Sequence, residues 1–88
     1  MAKAMSDEQI QARIEQLEAE ERSLRHDEGE AGATGERVAA DAQRLEEVRI
    51  CLDRLWDYLR QRRAFRDAGR DPDEAELRDA RTVERYLG

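Results

Sequence analysis

A single cysteine, Cys51, excludes an internal disulfide, and a single histidine, His26, leaves no Cys/His set with the spacing of a zinc site. The only lysine is Lys3, so the glycine-containing stretch "GEAGATGE" lacks the lysine of a phosphate-binding loop, and no strand precedes it. No run of about 18 apolar residues is present, which excludes a membrane-spanning helix, and the first residues lack the apolar stretch of a secretory signal. A reducing cytoplasm is the expected compartment. No nucleophile, histidine and acid can be grouped, and catalysis needs such groups to converge in a concave site. The expectation is a protein that is not an enzyme and has no metal or cofactor.

What the chain does have is charge and helix-forming residues. Of its 88 residues 43% are charged and 39% hydrophobic, too little apolar material for a broad core but enough for a long, narrow seam. Ala, Glu, Leu and Arg dominate, a composition of long helices and coiled coils. The fold class is all-α, an antiparallel, coiled-coil-like helical hairpin with a short C-terminal helical segment.

Residues 1–5 are expected to be a disordered lead, with Met5 as the natural start. "SDEQ" then forms a capping box: Ser6 accepts from the Gln9 amide while the Gln9 side chain reaches back, and Met5 can staple onto Ile10. Ile10, Ile14, Leu17, Glu21 and Leu24 alternate at spacings of four and three, the seam of a first helix over 6–28. Glu21 is the charged flaw in it, a position where the carboxylate must snorkel. Gly29, Gly32 and Gly35 mark a flexible turn over 29–34, with Thr34 as the next cap. A second helix over 35–68 carries Val38, Leu45, Val48, Leu52, Leu55 and Leu59 on one stripe, and Gly69 closes it. Pairing Leu24 with Val38 across the turn exhausts the first helix near Leu52. The remainder of the second helix would overhang by about 20 Å.

That overhang holds an unusual stretch, "LDRLWDYLRQRRAFRDAGRDPDE". Residues 6–30 carry nine acids and three arginines, whereas 54–70 carry six arginines and two acids. Trp56, Tyr58 and Phe65 lie among Arg60, Arg62, Arg63 and Arg66, and these seven are the candidate partner-binding residues. Asp71 caps a restart, with Pro72 in its first turn and Glu74 completing a second box, so 71–88 reads as a capped helix or tail that can fold back toward Trp56. Asp53 and Asp57 are read as an exposed pair with Arg60 beside them, and Trp56–Arg60 and Tyr58–Arg62 as cation–π candidates. Cys51, Tyr58 and Phe65 repeat every seven residues beside the main stripe. The apolar arc is therefore wider than a two-helix hairpin uses, and a homodimeric four-helix bundle would absorb it.

The residues "MSDEQIQARIEQLEAEERSLR" and "LDRLWDYLRQRRAFRDAGRDPDEAELRDARTVERYLG" resemble the short actinobacterial proteins grouped as domain of unknown function 2630. The specific part is the run W-D-x-L-R-Q-R-R-A followed by G-x-D-P-D-E-A and a terminal V-E-x-Y-L, carried by Trp56, Asp57, Arg60, Gln61, Arg62, Arg63, Asp71, Pro72 and Asp73. The resemblance implies a small helical cytoplasmic protein and brings no activity with it. Two departures stand out: a longer, three-glycine connection, and Asp79 where the pattern often has proline, which would let the third helix run further.

Three candidates can cover the arginine-rich end: the acidic tail with Asp71, Asp73, Glu74 and Glu76, a second copy, or another acidic protein. Nucleic acid or an anionic ligand on "RQRRAFR" is the alternative, and a chain of net charge −6 disfavours it. The expected function is a non-enzymatic interaction or regulatory module that self-associates through the Trp/Arg end of the second helix.

Overall fold

The protein was analysed as a computed structural model, which describes residues 5–28, 35–81 and 83. The expected turn glycine Gly29 and the cap Thr34 lie outside the described residues. Two α-helices, α1 (Asp7–Glu28) and α2 (Gly35–Asp67), pack as an antiparallel hairpin, followed by a 3-10 turn at Pro72–Glu74. No strand occurs among the described residues.

Each helix end is set by local chemistry. The Gln9 amide donates to Ser6 Oγ at 3.1 Å and the Ser6 amide to Gln9 Oε1 at 2.9 Å, so the capping box forms in both directions. Asp7 and Glu8 in the first turn and Arg25 and His26 in the last oppose the helix dipole favourably. Met5, at the stapling position, is partly buried against the core, so it does not belong to a disordered lead. At the far end of α2, Gly69 takes a φ of 74°, a conformation that favours glycine. Its amide donates to the Arg66 carbonyl at 3.0 Å, and the Arg70 amide to that of Phe65 at 2.7 Å, a Schellman closure.

The seam forms from the expected side chains: Ile10, Ile14, Leu17 and Leu24 of α1 with Leu45, Val48, Leu52, Leu55 and Leu59 of α2, all buried. Glu21 remains at the seam edge, and its carboxylate reaches Arg25 at 3.4 Å and Arg49 at 3.7 Å. The register, however, differs from the expected one by about two helical turns. Asp7 pairs with Arg62 at 2.7 Å and with Arg66 at 2.9 Å, and Glu20 pairs with Arg44 at 2.6 Å. Those pairs put Ile10 at the level of Leu59 and Leu24 at the level of Leu45. Val38, expected to face Leu24, is 40% exposed. The long overhang at the aromatic end is thereby lost, because α1 reaches as far as Arg66. A heptad pattern looks the same after a shift of one repeat, so charge contacts select among registers that the apolar stripe leaves nearly equivalent.

The segment after Gly69 also differs. Asp71 does cap, accepting from the Asp73 amide at 2.9 Å with Pro72 in the first turn, but the cap serves one 3-10 turn and not a helix. The chain then runs without regular structure through Asp79, and helical geometry resumes at Ala80, where the Val83 amide donates to the Asp79 carbonyl at 3.1 Å. Replacing Ser6 by alanine should lower unfolding free energy by about 1 kcal/mol, measured by urea denaturation. The loss should be partly shared by Gln9→Ala, since the two residues satisfy each other's amides.

Candidate functional site

The polar residues of α2 in its C-terminal half form a rail that holds the returning chain. Arg54, Asp57 and Gln61 recur at spacings of three and four, hence on one face. The Arg54 Nε donates to the Arg78 carbonyl at 2.9 Å. Gln61 clamps the backbone of Glu76 through both halves of its amide: Nε2 donates to the carbonyl at 2.7 Å, and Oε1 accepts from the amide at 3.3 Å. Arg78 grips the Asp57 carboxylate with two nitrogens, Nε at 2.9 Å from Oδ2 and a terminal nitrogen on Oδ1. Gln61 adds a third donor to that carboxylate at 3.0 Å. These contacts explain why the predicted third helix does not start at Asp71. The Glu76 backbone groups and the Arg78 carbonyl bond to α2 side chains, and an extended path lets them do so.

Asp57 therefore occupies a position opposite to the exposed one its spacing suggested. It is 1% exposed. Its neutralising partner is Arg78 of the tail, with Arg60 contributing only through its charge. Burial pushes the Asp57 carboxyl up, the largest single influence, but the hydrogen bonds from Arg78 and Gln61 and the charges of Arg78 and Arg60 outweigh it, and the net shift is downward. With donors on both oxygens, Asp57 is committed to structure and is not placed to accept a proton from a substrate.

Arg62 is the second junction. Buried at 6% exposure, it donates to Asp7 at 2.7 Å and to Asp73 at 2.8 Å, so one guanidinium joins the start of α1, the body of α2 and the 3-10 turn. Asp7 and then Asp73 hold its proton more tightly than usual. In return the hydrogen bonds of Arg66 and Arg62 hold the Asp7 carboxyl below its ordinary value.

Of the seven candidate partner-binding residues, the fold uses four internally. Tyr58 is buried in the core, Arg62 and Arg66 are paired with Asp7, and Phe65 is half-buried with Arg70 stacked 4.6 Å over its ring. The two cation–π pairs expected from spacing do not form: Arg62 bonds to Asp7 and Asp73, and the ring contact present is Arg70 over Phe65, with Arg70 also held by Glu74 at 2.9 Å. The other three stay outside: Trp56 is 42% exposed, and Arg60 and Arg63 are exposed without an ion pair among the described residues. The tail thus covers the Cys51–Tyr58–Phe65 flank of α2 and leaves the Trp56 flank open. Sequence reasoning missed Arg54, Gln61 and Arg78 as functional contacts. Gln61 did stand among the residues of the motif.

A family model described as a protein of unknown function (DUF2630) matches residues 6–88. The chain belongs to this family. Among similar proteins are Uncharacterized protein Rv0898c of Mycobacterium tuberculosis (strain ATCC 25618 / H37Rv) and Uncharacterized protein Mb0922c of Mycobacterium bovis. Each is 42% identical over 83 residues, covering 94% of this chain and 92% of the relative. No solved structure matches. Among the described residues no cluster of His, Cys, Asp and Glu could hold a metal ion, and no helix is long and apolar enough to cross a membrane. Of the nine positions that carry the family resemblance, Asp57, Gln61, Arg62, Asp71 and Asp73 take part in seating or capping the tail, together with Arg54 and Arg78, whereas Trp56, Arg60 and Arg63 stay exposed.

Both Asp57 and Asp7 titrate lower in the folded chain than in the unfolded one, so acidification loads protons onto the unfolded chain first. Their contribution to stability is complete above the ordinary value of 3.8 and is lost as pH falls from there through the folded values. Urea midpoints should fall steeply below that pH in the parent chain. In Asp57→Asn the acid-dependent fall should be shallower and start from a lower plateau.

Proposed function

We propose that the protein is a non-catalytic interaction module that self-associates through the Trp56 flank of α2. The observation that carries this reading is the exposure of Trp56, followed on α2 by the exposed Arg60 and Arg63, which form no ion pair among the described residues. Trp and Arg are the residue types that dominate binding energy at protein interfaces. On α1, Glu8, Glu15 and Glu18 likewise form no ion pair among the described residues. The helical period puts Glu15 and Glu18 on the side of the hairpin that Trp56 occupies.

One side of the hairpin thus offers an acidic strip from α1 beside a basic one from α2. Two copies related by a two-fold axis parallel to the helices would set the α1 side of one copy beside the α2 side of the other. The result would be a four-helix bundle. Shape supports the same reading: the Cα radius of gyration is 15.9 Å and the extents are 54 × 25 × 25 Å, against about 12 Å for a compact domain of this length. A rod of that form has room for a lateral partner. Binding of nucleic acid is disfavoured because Arg62 and Arg66 are already paired, which leaves Arg60 and Arg63 as a small basic spot on an acidic chain.

Sedimentation equilibrium at micromolar concentration should give twice the chain mass. Trp56→Ala, and separately the double change Arg60→Glu with Arg63→Glu, should shift the protein to monomer without loss of helical circular dichroism. A monomer at all concentrations would reject self-association, and sub-micromolar binding of duplex or single-stranded probes at about 150 mM salt would favour the nucleic-acid reading.

A further inference from the structure

On the side of the hairpin away from Trp56, the seated tail leaves a groove between itself and α1. Its volume is about 230 Å³, and it is lined by Met5 and Leu17 of the α1 side, Cys51 and Leu55 of α2, and Leu77 of the tail, with Arg13 and Arg54 at its edges. The groove owes its outer wall to the polar rail. Arg54 holds the Arg78 carbonyl and Gln61 the Glu76 backbone, which fixes Leu77 between them, and Leu77 is 46% exposed on the rim.

Two arginines at this groove, the exposed Arg13 and the half-buried Arg54, form no ion pair among the described residues, as Arg60 and Arg63 form none on the Trp56 flank. Elsewhere the partly buried arginines meet carboxylates: Arg62 meets Asp7 and Asp73, and Arg78 meets Asp57. Here Arg13 donates to the Gln16 side chain at 3.3 Å, and Arg54 to a backbone carbonyl. Neither forms an ion pair among the described residues. Glu20, which feels the charge of Arg13, is held by both Nε and a terminal nitrogen of Arg44. Two guanidinium groups from different helices therefore border one apolar trough in a chain of net charge −6.

We infer that this groove binds a slender amphiphile carrying a carboxylate, an unbranched acyl chain lying over Leu17, Leu55 and Leu77 with its head group between Arg13 and Arg54. The volume suits an occupant smaller than a drug-sized ligand, whose pockets run from roughly 300 Å³ upward, and the aliphatic lining of Leu17, Leu55 and Leu77 suits methylene groups. The head group follows from the fork geometry of guanidinium, which matches a carboxylate with paired hydrogen bonds. The apolar floor would supply the remainder of the affinity by burial of methylene groups. The site is separate from the Trp56 flank, so occupancy here and self-association there can succeed or fail independently.

Cys51 is the chain's one thiol and lines the groove, which makes it a built-in reporter. The rate of Cys51 alkylation by a maleimide should fall saturably when decanoate is added below its micellar range. Decyltrimethylammonium, of equal chain length and opposite charge, should not slow it. Arg13→Gln should weaken protection roughly tenfold, the loss of one charge-assisted hydrogen bond, while circular dichroism is unchanged. Leu77→Ala, at an exposed rim position, should weaken it as well. Equal protection by both amphiphiles, or by neither, would overturn the inference. So would protection that rises with protein concentration and ignores decanoate, since the groove would then be filled by a second copy.

Discussion

The burial of one carboxylate organises the C-terminal half of this molecule. Asp57 sits in the middle of α2 at a position where an unpaired charge would be strongly destabilising, and the first helix contributes no hydrogen bond to it. Its partner Arg78 comes from a segment eleven residues beyond the helix end at Asp67. The chain must therefore reverse at Gly69, turn at Pro72 and run back along α2 far enough for Arg78 to reach. Gln61 and Arg54, above and below Asp57 on the same face, bond the passing backbone and keep it extended. The tail is seated mainly by polar geometry, with Ala75 and Val83 as its buried apolar members among the described residues.

A second junction makes the two halves interdependent. Arg62 bonds to Asp7 at the first turn of α1 and to Asp73 in the 3-10 turn, so the hairpin register and the tail position are set by the same guanidinium. The capping box at Ser6 begins the helix whose next residue is Asp7. Local capping, inter-helix register and tail docking thus converge within a few residues at one end of the rod. The arginine-rich stretch is in large part an internal adhesive, and Arg60 and Arg63 beside Trp56 are its exposed members without an ion pair among the described residues.

Local features were legible in the sequence because their chemistry is local. The Ser6–Gln9 box, the closure at Gly69 and the cap at Asp71 each depend on residues within a few positions of one another. So does the all-α hairpin, which arises from composition and two apolar stripes. Register was not legible, since Ile10, Ile14, Leu17 and Leu24 fit the second stripe almost equally well one heptad along, and the deciding Asp7 contacts lie far apart in sequence. Asp57 was misread for a related reason. A helical wheel assigned one apolar face to α2, whereas the tail buries a second face whose polar residues look solvated until Arg78 is brought to them. The D-P-D-E signal was right about the cap and wrong about the residues after it, because tertiary bonds to Gln61 and Arg54 take the backbone groups a helix would have used.

Seating of the tail turns on coupling between Asp57 and Arg78, and a double-mutant cycle measures that coupling directly. Urea unfolding of the parent, Asp57→Ala, Arg78→Ala and the double variant should show each single change costing about 3–5 kcal/mol. The double change should cost little more than either alone, giving a coupling energy at or above about 2 kcal/mol. Additive losses within about 0.5 kcal/mol would mean that the pair does not hold the tail, and would contradict the account.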